Sequence, residues 1–354
     1  VCFSCTNFSK RIDEKAEVLK FRCDTLRIET DTHIVGSLDV FDAFSDAENE
    51  ILCSVYNDML TLFDLKKAKL IKTIRLPFGG ENGIARVVAL KMKSPSEIFL
   101  QTEKDIVLIN SEGNVLKRIK INTDDLHLLQ NDAGFPLQIF REKLVLKQIL
   151  RSKDAAEKNP FAVFIDPESQ KREDTGIRYP VDLDALFSSY AFFSSPQLSV
   201  SGNIAVFNFP YSNEIFLYDF EKKTLLQNTL LSENTPAKAY AYKDGQDFEK
   251  YMAENPHYLK PLADVEKGLI FRPVWQKPNT DAKNPFLAKP FSLTVANTEL
   301  KKIADITLPK KSYAPNMYFL TINALYFCEM HPESNMREDF LTLHRYSFWF
   351  ESAE

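Results

Sequence analysis

Apolar residues along this chain recur mostly at every second position, in short runs cut by polar turns. That period of two belongs to strands whose side chains alternate between two faces. Five segments share one shape: an apolar strand, an Asp or Asn, a short polar turn, and a second strand. They read LTLFDLKKAKLIKTIRLP, IVLINSEGNVLKRIKIN, FAVFIDPESQKREDTGI, IFLYDFEKKTLLQNTLL and SLTVANTELKKIADITLP. The polar marker falls at Asp64, Asn110, Asp166, Asp219 and Asn297, at intervals of 46, 56, 53 and 78 residues. Asp and Asn initiate turns because their side chains accept hydrogen bonds from backbone N–H groups just downstream.

Further strand-like runs precede these hairpins, among them NEILCSVYN, VVALKMK with SEIFLQTE, LQIFREKLVLKQIL, PQLSVS with GNIAVFNFPY, and KGLIFRPVWQK. Four strands in about 45–55 residues is the unit of a β-propeller blade. The C-terminal segment MYFLTINALYFCEM…LTLHRYSFWFES supplies two or three strands, and the N-terminal AEVLKFRCDTLRIET is free to close the ring beside them. The expected fold is all-β, a propeller of six four-stranded blades closed by pairing of the N- and C-terminal strands. A seventh blade hidden in the 219–297 interval is the alternative.

That interval contains the one clear helical pattern, GQDFEKYMAENPHYLKPL, in which Phe248, Met252 and Tyr251 share a face and Pro256 ends the helix. A partly helical insertion is therefore expected near 237–262. The stretch RYPVDLDALFSSYAFFSSPQ is a second insertion, with a short helix as one reading. No linker divides the chain, so residues 17–354 read as a single domain.

Composition narrows the function classes. The chain has 354 residues, 28 of them Phe and only 10 Gly, and a net charge of −5. Lys and Arg are scattered without a basic stripe, which argues against nucleic-acid binding. No apolar run approaches the roughly 18 residues of a membrane span. The chain begins VCFSCTNFSKRIDEKAE. A bacterial lipoprotein signal ends in a small residue before the acylated Cys and is followed by a polar tether, and Ser4-Cys5 with its polar sequel fits that pattern. Residues 1–16 are read as a leader remnant and tether, with Cys5 as the site of lipid attachment. An arbitrary leader remnant, and a CxxC metal half-site or redox pair, are the other readings, although no second CxxC or paired His completes a metal site. Cys23, Cys53 and Cys328 lie among apolar neighbours as small buried side chains. A Cys23–Cys328 disulfide is open if the chain ends meet.

Three of the ten glycines crowd into LPFGGENGIARV. The segment is not GxGxxG and follows an outer strand rather than opening a helix, so it reads as a tight passage between blades, not a phosphate loop. Nothing matches the motifs of nucleotide, zinc-protease, serine-hydrolase or EF-hand sites. No residue is assigned to catalysis or to a metal, and no cofactor is implied. The acid pairs Asp124/Asp125 and Asp182/Asp184 are calcium candidates or solvated loop acids. The ligand-binding candidates are His257 and Tyr258, in the insertion, with Arg272 and Trp275 in GLIFRPVWQ. An Arg between apolar positions needs a partner because burying its charge alone is costly, and Trp contacts sugars and peptides efficiently. The alternative is an Arg paired to a carboxylate and a Trp filling the core between blades.

Taken in order, LFDL, GGENGI, the hairpin IFLQTEKDIVLINSEGNVLKRI, the segment PHYLKPLADVEKGLIFRPV, the hairpin KPFSLTVANTELKKIADITLP and the strand NALYF resemble an uncharacterised family. It consists of Bacteroides-type lipoprotein β-propellers grouped as a domain of unknown function and related in fold to TolB-like and six-bladed propellers. The resemblance spans roughly residues 25–346. Its turn pattern is EGPNGI-like, from which GGENGI departs at Gly80. The resemblance implies a propeller anchored by lipid in a Gram-negative envelope, periplasmic or at the cell surface, and it carries no catalytic residues. The function expected is non-enzymatic: a monomeric binding or scaffold module for a peptide, glycan or partner protein, touching the membrane through its lipid anchor only. A glycan-directed hydrolase or lyase with its site at the channel mouth is the alternative.

Overall fold

The computed structural model describes residues 17–30, 38, 40–77, 79–80, 82–121, 127–129, 131–150, 152–180, 195–233, 242, 245–276, 289–309, 313–329 and 340–352. Cys5 with its tether, both acid pairs and most of the second insertion lie outside them.

The chain enters as β1 (Glu17–Glu29) and then builds its blades in sequence order. The first is β2 (Val40–Ser45), β3 (Glu50–Tyr56), β4 (Met59–Asp64) and β5 (Lys69–Arg75). The second is β6 (Ala89–Ser94), β7 (Glu97–Gln101), β8 (Asp105–Ile109) and β9 (Val115–Lys120). In the third, an inner edge made of two pieces, β10 (His127–Leu129) and β11 (Gln138–Phe140), pairs with β12 (Lys143–Leu150). Helix α1 (Lys153–Lys158), β13 (Ala162–Ile165) and β14 (Arg172–Asp174) complete that blade. The fourth is β15 (Gln197–Ser201), β16 (Ile204–Asn208), β17 (Glu214–Asp219) and β18 (Thr224–Thr229). After α2 (Phe248–Glu254), the fifth blade repeats the divided inner edge: β19 (His257–Tyr258) and β20 (Leu262–Asp264) both pair with β21 (Leu269–Trp275). It continues through β22 (Phe291–Asn297) and β23 (Lys302–Thr307). The sixth is β24 (Tyr313–Leu320), β25 (Leu325–Glu329) and β26 (Phe340–Ser352), with β1 as its outer strand.

The six sheets form a closed ring, as the sequence predicts. Closure is antiparallel, with β1 registered against β26 from Glu17↔Ser352 to Glu29↔Phe340. Six apolar clusters fill the six junctions between neighbouring blades, the last joining Ile28, Leu341 and Leu343 of the sixth blade to Leu52 and Phe63 of the first. Because each blade is packed on both faces, its middle strands are apolar on both: every residue of β21 is buried, whereas every residue of β18, at the outer rim, is exposed. Cys23 and Cys328 do share the closing blade, but no disulfide joins them. Strand β26 runs between them, pairing Cys23 with Tyr346 and Cys328 with Leu343. Two strand spacings, about 10 Å, exceed what a disulfide can span.

The five Asp/Asn markers occupy equivalent turns. Each side chain accepts from backbone N–H groups downstream: Asp64 from Lys67, Asn110 from Glu112 and Asn114, Asp166 from Glu168 and Ser169, Asp219 from Glu221 and Lys222, and Asn297 from Glu299 and Lys301, all at 2.7–3.0 Å. The glycine-rich segment carries the chain from β5 to β6. Gly79 and Gly80 have φ of +87° and +73°, and a Cβ on Gly83 would lie 2.5 Å from the Gly79 backbone. The loop is closed by Ile84 N–H donating to Pro77 O at 2.7 Å.

Candidate functional site

The four candidates from the sequence cluster in the fifth blade, and all are buried there. Arg272 is 0% exposed. Its Nη1 donates to the carbonyls of Asn213 and Leu230, and its Nη2 to those of Ser212 and Glu214, at 2.7–3.0 Å. Four backbone carbonyls, and no carboxylate, are its partners. They come from the connection between β16 and β17, from the first residue of β17 and from the residue just after β18, so the side chain fastens the fourth blade to the fifth. Tyr258 stacks against the guanidinium, and its N–H donates to Pro210 O at 2.9 Å in the same connection.

Trp275 and His257 are cross-strand partners with ring centroids 5.9 Å apart. Between them lies a residue that the sequence did not single out, Lys289. Its Nζ donates to Met252 O at 2.6 Å and Asn255 O at 2.7 Å and meets His257 Nδ1 at 3.1 Å. It also lies 4.3 Å from the centre of the Trp275 ring. The ammonium thereby caps carbonyls at the end of α2, where the helix dipole favours a cation. Burial pulls its pKa down to about 7. Burial and the neighbouring Lys289 charge hold His257 well below its ordinary value. The insertion is thus locked onto the ring by these residues, and none of the four candidates presents a free face to solvent.

A concave site lies elsewhere, on the ring axis. A cavity of about 460 Å³ is lined by the inner strands of all six blades, with β2, β15, β20 and β24 contributing most of its wall. Phe41, Val200, Leu262 and Phe319 supply apolar surface, and Val265 and Ile322 stand exposed at the rim. A smaller cavity of about 20 Å³ continues along the axis. Phe41, Pro136 and Lys260 line both and so form the constriction between them.

The divided inner edges explain this constriction. Chain 131–137 in the third blade and 259–261 in the fifth leave their strands and cross the inner end of β15. Leu198 N–H donates to Gly134 O at 3.0 Å, Ser199 Oγ to Pro261 O at 2.6 Å, and Asn208 Nδ2 to Leu259 O at 3.1 Å. Asn131 and Asp132 hold the third-blade segment, Asp132 Oδ1 accepting from the N–H groups of Gly134 and Phe135 at 2.9 Å each. Lys260 projects from the fifth-blade segment toward the third, where its Nζ donates to Ala133 O at 3.4 Å.

The charges around the axis are mostly matched. Asp42 pairs with Lys91 at 3.0 Å and accepts from Met92 N–H at 2.9 Å. Asp132 pairs with Lys147. At the rim, Asp264 pairs with Lys267 at 2.9 Å. Lys260 differs: among the described residues it makes no ion pair, and the 3.4 Å bond is the one hydrogen bond of its ammonium. It is 6% exposed and lies 5.5 Å from the centre of the Tyr318 ring. Burial draws its pKa down to about 8, a fall opposed by the fields of Asp42 and Asp132 and assisted by that of Lys91. The signal in the sequence was a single Lys in the apolar run YLKPLA, the same kind of signal that flagged Arg272.

Comparison with known proteins supports the fold. The crystal structure of a DUF4221 family member from Bacteroides vulgatus is similar to this chain with a TM-score of 0.75 at 18% identity, covering 95% of this chain and 99% of that one. The crystal structure of a Bacteroides fragilis protein, described as a "Putative exported protein", gives a TM-score of 0.58 at 8% identity and covers 98% of this chain and 99% of that one. No curated protein sequence matches. A family model described as Domain of unknown function (DUF4221) matches residues 16–305, and the chain belongs to that family.

Proposed function

We propose that this protein is a non-enzymatic binding module of the bacterial envelope, which holds a peptide, glycan or partner protein at the mouth of its central channel. The observation that carries the reading is the axial cavity. Its volume of about 460 Å³ falls in the range of ligand sites, and its mixed wall of apolar surface with a few polar groups is the usual composition of such sites. The enzymatic alternative, a glycan-directed hydrolase or lyase, draws less support. Glycoside hydrolysis needs a pair of carboxyl groups free to act on the sugar, and the wall carboxylates Asp42 and Asp264 are each engaged in an ion pair with a lysine.

The envelope assignment draws on two observations besides the Ser4-Cys5 pattern. The structurally similar Bacteroides fragilis protein carries an export description, and among the described residues no helix is long and apolar enough to cross a membrane. Lipid attachment at Cys5 is the tethering mode proposed. In the expressing cell, Cys5→Ser should release the chain from the membrane fraction, and retention would overturn the anchor.

The binding reading is tested by screening the full chain on peptide and glycan arrays beside a variant with an obstructed channel, Ser201→Trp. Ser201 lines the mouth at the end of β15. The expected result is binding that the variant loses with its melting temperature unchanged. Binding unaffected by Ser201→Trp would move the site off the channel, and an array on which nothing binds would overturn the module reading.

A further inference from the structure

Among the described residues, the axis contains one cation that the fold leaves without a counter-charge. A lysine ammonium offers three donors, and Lys260 uses one of them, in a 3.4 Å bond to Ala133 O. The nearby carboxylates are engaged elsewhere, Asp42 by Lys91 and Asp132 by Lys147. A cation held in a 6% exposed position without a counter-charge is costly, and that cost falls when an anion arrives. Arg272 shows the contrast, since the same fold gives that buried cation four carbonyl acceptors.

The surroundings limit the anion. One unmatched positive charge suits a monoanion. A phosphate dianion would bring excess charge past the rim carboxylates Asp264 and Glu266. The wall also bears on what carries the charge. Several of its hydroxyls are already committed: Ser199 donates to Pro261 O, Thr321 to Glu50, and Ser45 accepts from Ile322 N–H. A sugar acid, with a hydroxyl on most carbons, would leave many groups unpaired there. A peptide would instead find the apolar side chains of Phe41, Val200, Leu262 and Phe319. It would also meet the inner edges of β2, β20 and β24, each paired on one side within its sheet. Such edges offer backbone groups to an incoming chain.

We propose that Lys260 is the anion-recognition residue of the channel, and that the cavity takes the free carboxyl-terminal end of a peptide whose last side chain is apolar. The peptide enters between Val265 and Ile322, its carboxylate reaches the Lys260 ammonium at the constriction, and its last side chain lies against Phe41 and Phe319. The assignment deepens the channel reading and rests on it. The groups that set its pH response are Asp42 on β2, Lys91 on β6, Asp132 before β11 and Tyr318 on β24. With those paired as described, Lys260 is the group that titrates near pH 8, and affinity should fall about tenfold per pH unit above that point.

The test uses the full chain and a fluorescein-labelled hexapeptide library, randomised over its last three residues. The library is made with free carboxyl ends and, in parallel, as carboxamides, with an oligogalacturonate and inorganic phosphate as further probes. The expected result is binding of free acids with apolar last residues, at least tenfold weaker binding of the amides, and loss of that preference in both Lys260→Met and Lys260→Gln. The two variants should fold, because each removes a buried charge that has no ion-pair partner. Acid and amide binding equally, with both lost in Ser201→Trp, would overturn the carboxylate assignment and leave the channel reading standing. Oligogalacturonate or phosphate binding through Lys260, with no peptide bound, would overturn the peptide assignment alone. Peptide binding that survives Ser201→Trp would overturn both, and so would a failure of every probe to bind.

Discussion

The guanidinium carbon of Arg272 lies 3.8 Å from the centre of the Tyr258 ring, and the two residues together join the fourth blade to the fifth. Removing the side chain in Arg272→Ala strands four carbonyls and the buried face of Tyr258. The expected loss is about 3–5 kcal/mol, the usual result of taking one partner from a buried charged network. Arg272→Lys keeps the charge but not the planar fork, and should lose about 1–3 kcal/mol. Urea unfolding midpoints check both, and a loss under 1 kcal/mol in the alanine variant would refute the joining role.

The two depressed lysines give stability a definite slope with pH. In the folded protein Lys289 titrates at about 7 and Lys260 at about 8, against 10.5 for a free side chain. Between those values the unfolded chain binds more protons than the folded one, so stability rises with pH through the window. It is fully present above the unfolded value and lost as pH falls through the folded ones. Buried His257, also depressed, adds a rise of the same sign below the ordinary histidine range. The gain from pH 7 to pH 9 should be about 2–4 kcal/mol. Above pH 10 buried tyrosines such as Tyr318, whose pKa is pushed up, reverse the slope. Chemical denaturation at stepped pH measures this, and a flat profile in Lys289→Met with Lys260→Met would confirm the source.

The turn markers make a smaller, local prediction. Asn297 Oδ1 accepts from two backbone N–H groups at 2.9–3.0 Å. Asn297→Ala should cost about 1 kcal/mol, while Asn297→Asp, which keeps the acceptor, should stay within a few tenths. Equal losses would show that the acceptor is not what matters.

Ring closure can be probed at Ile28, which is 0% exposed on β1 and packs with Leu341 and Leu343. Ile28→Ala should destabilise by about 2–4 kcal/mol. Because β1 completes the sixth blade, the transition should remain single and cooperative, with no separate early phase in near-UV circular dichroism.

Much of this architecture is legible in the sequence, because it rests on local chemistry. An Asp or Asn at a hairpin turn bonds its own neighbours wherever it occurs, so five blades announce themselves by one repeated device. The closing role of β1 follows from an incomplete last unit, and the Gly79–Gly80 turn from the φ values that only glycine adopts easily. The inner strands were harder to see. Strand β2 turns Asp42 toward the axis, which breaks the apolar alternation of VFDAFS, and the inner edge of the fifth blade is cut in two around Lys260. The same physics misdirected attention from Lys260 to Arg272. Both are cations in apolar runs, and sequence alone does not say which will find four carbonyls and which will be left facing a cavity. That depends on the connection at Ser212–Glu214 in another blade, about 60 positions away from Arg272.

The divided inner edges of the third and fifth blades have a further consequence, one of symmetry. A ring of six like blades with unbroken inner strands would present much the same wall six times around its axis, and a ligand there would have several nearly degenerate poses. Here two edges fold inward and meet over β15 only, so the constriction occurs once and carries one lysine. On the channel proposal, the stoichiometry expected is one ligand per ring, held in a single rotational orientation.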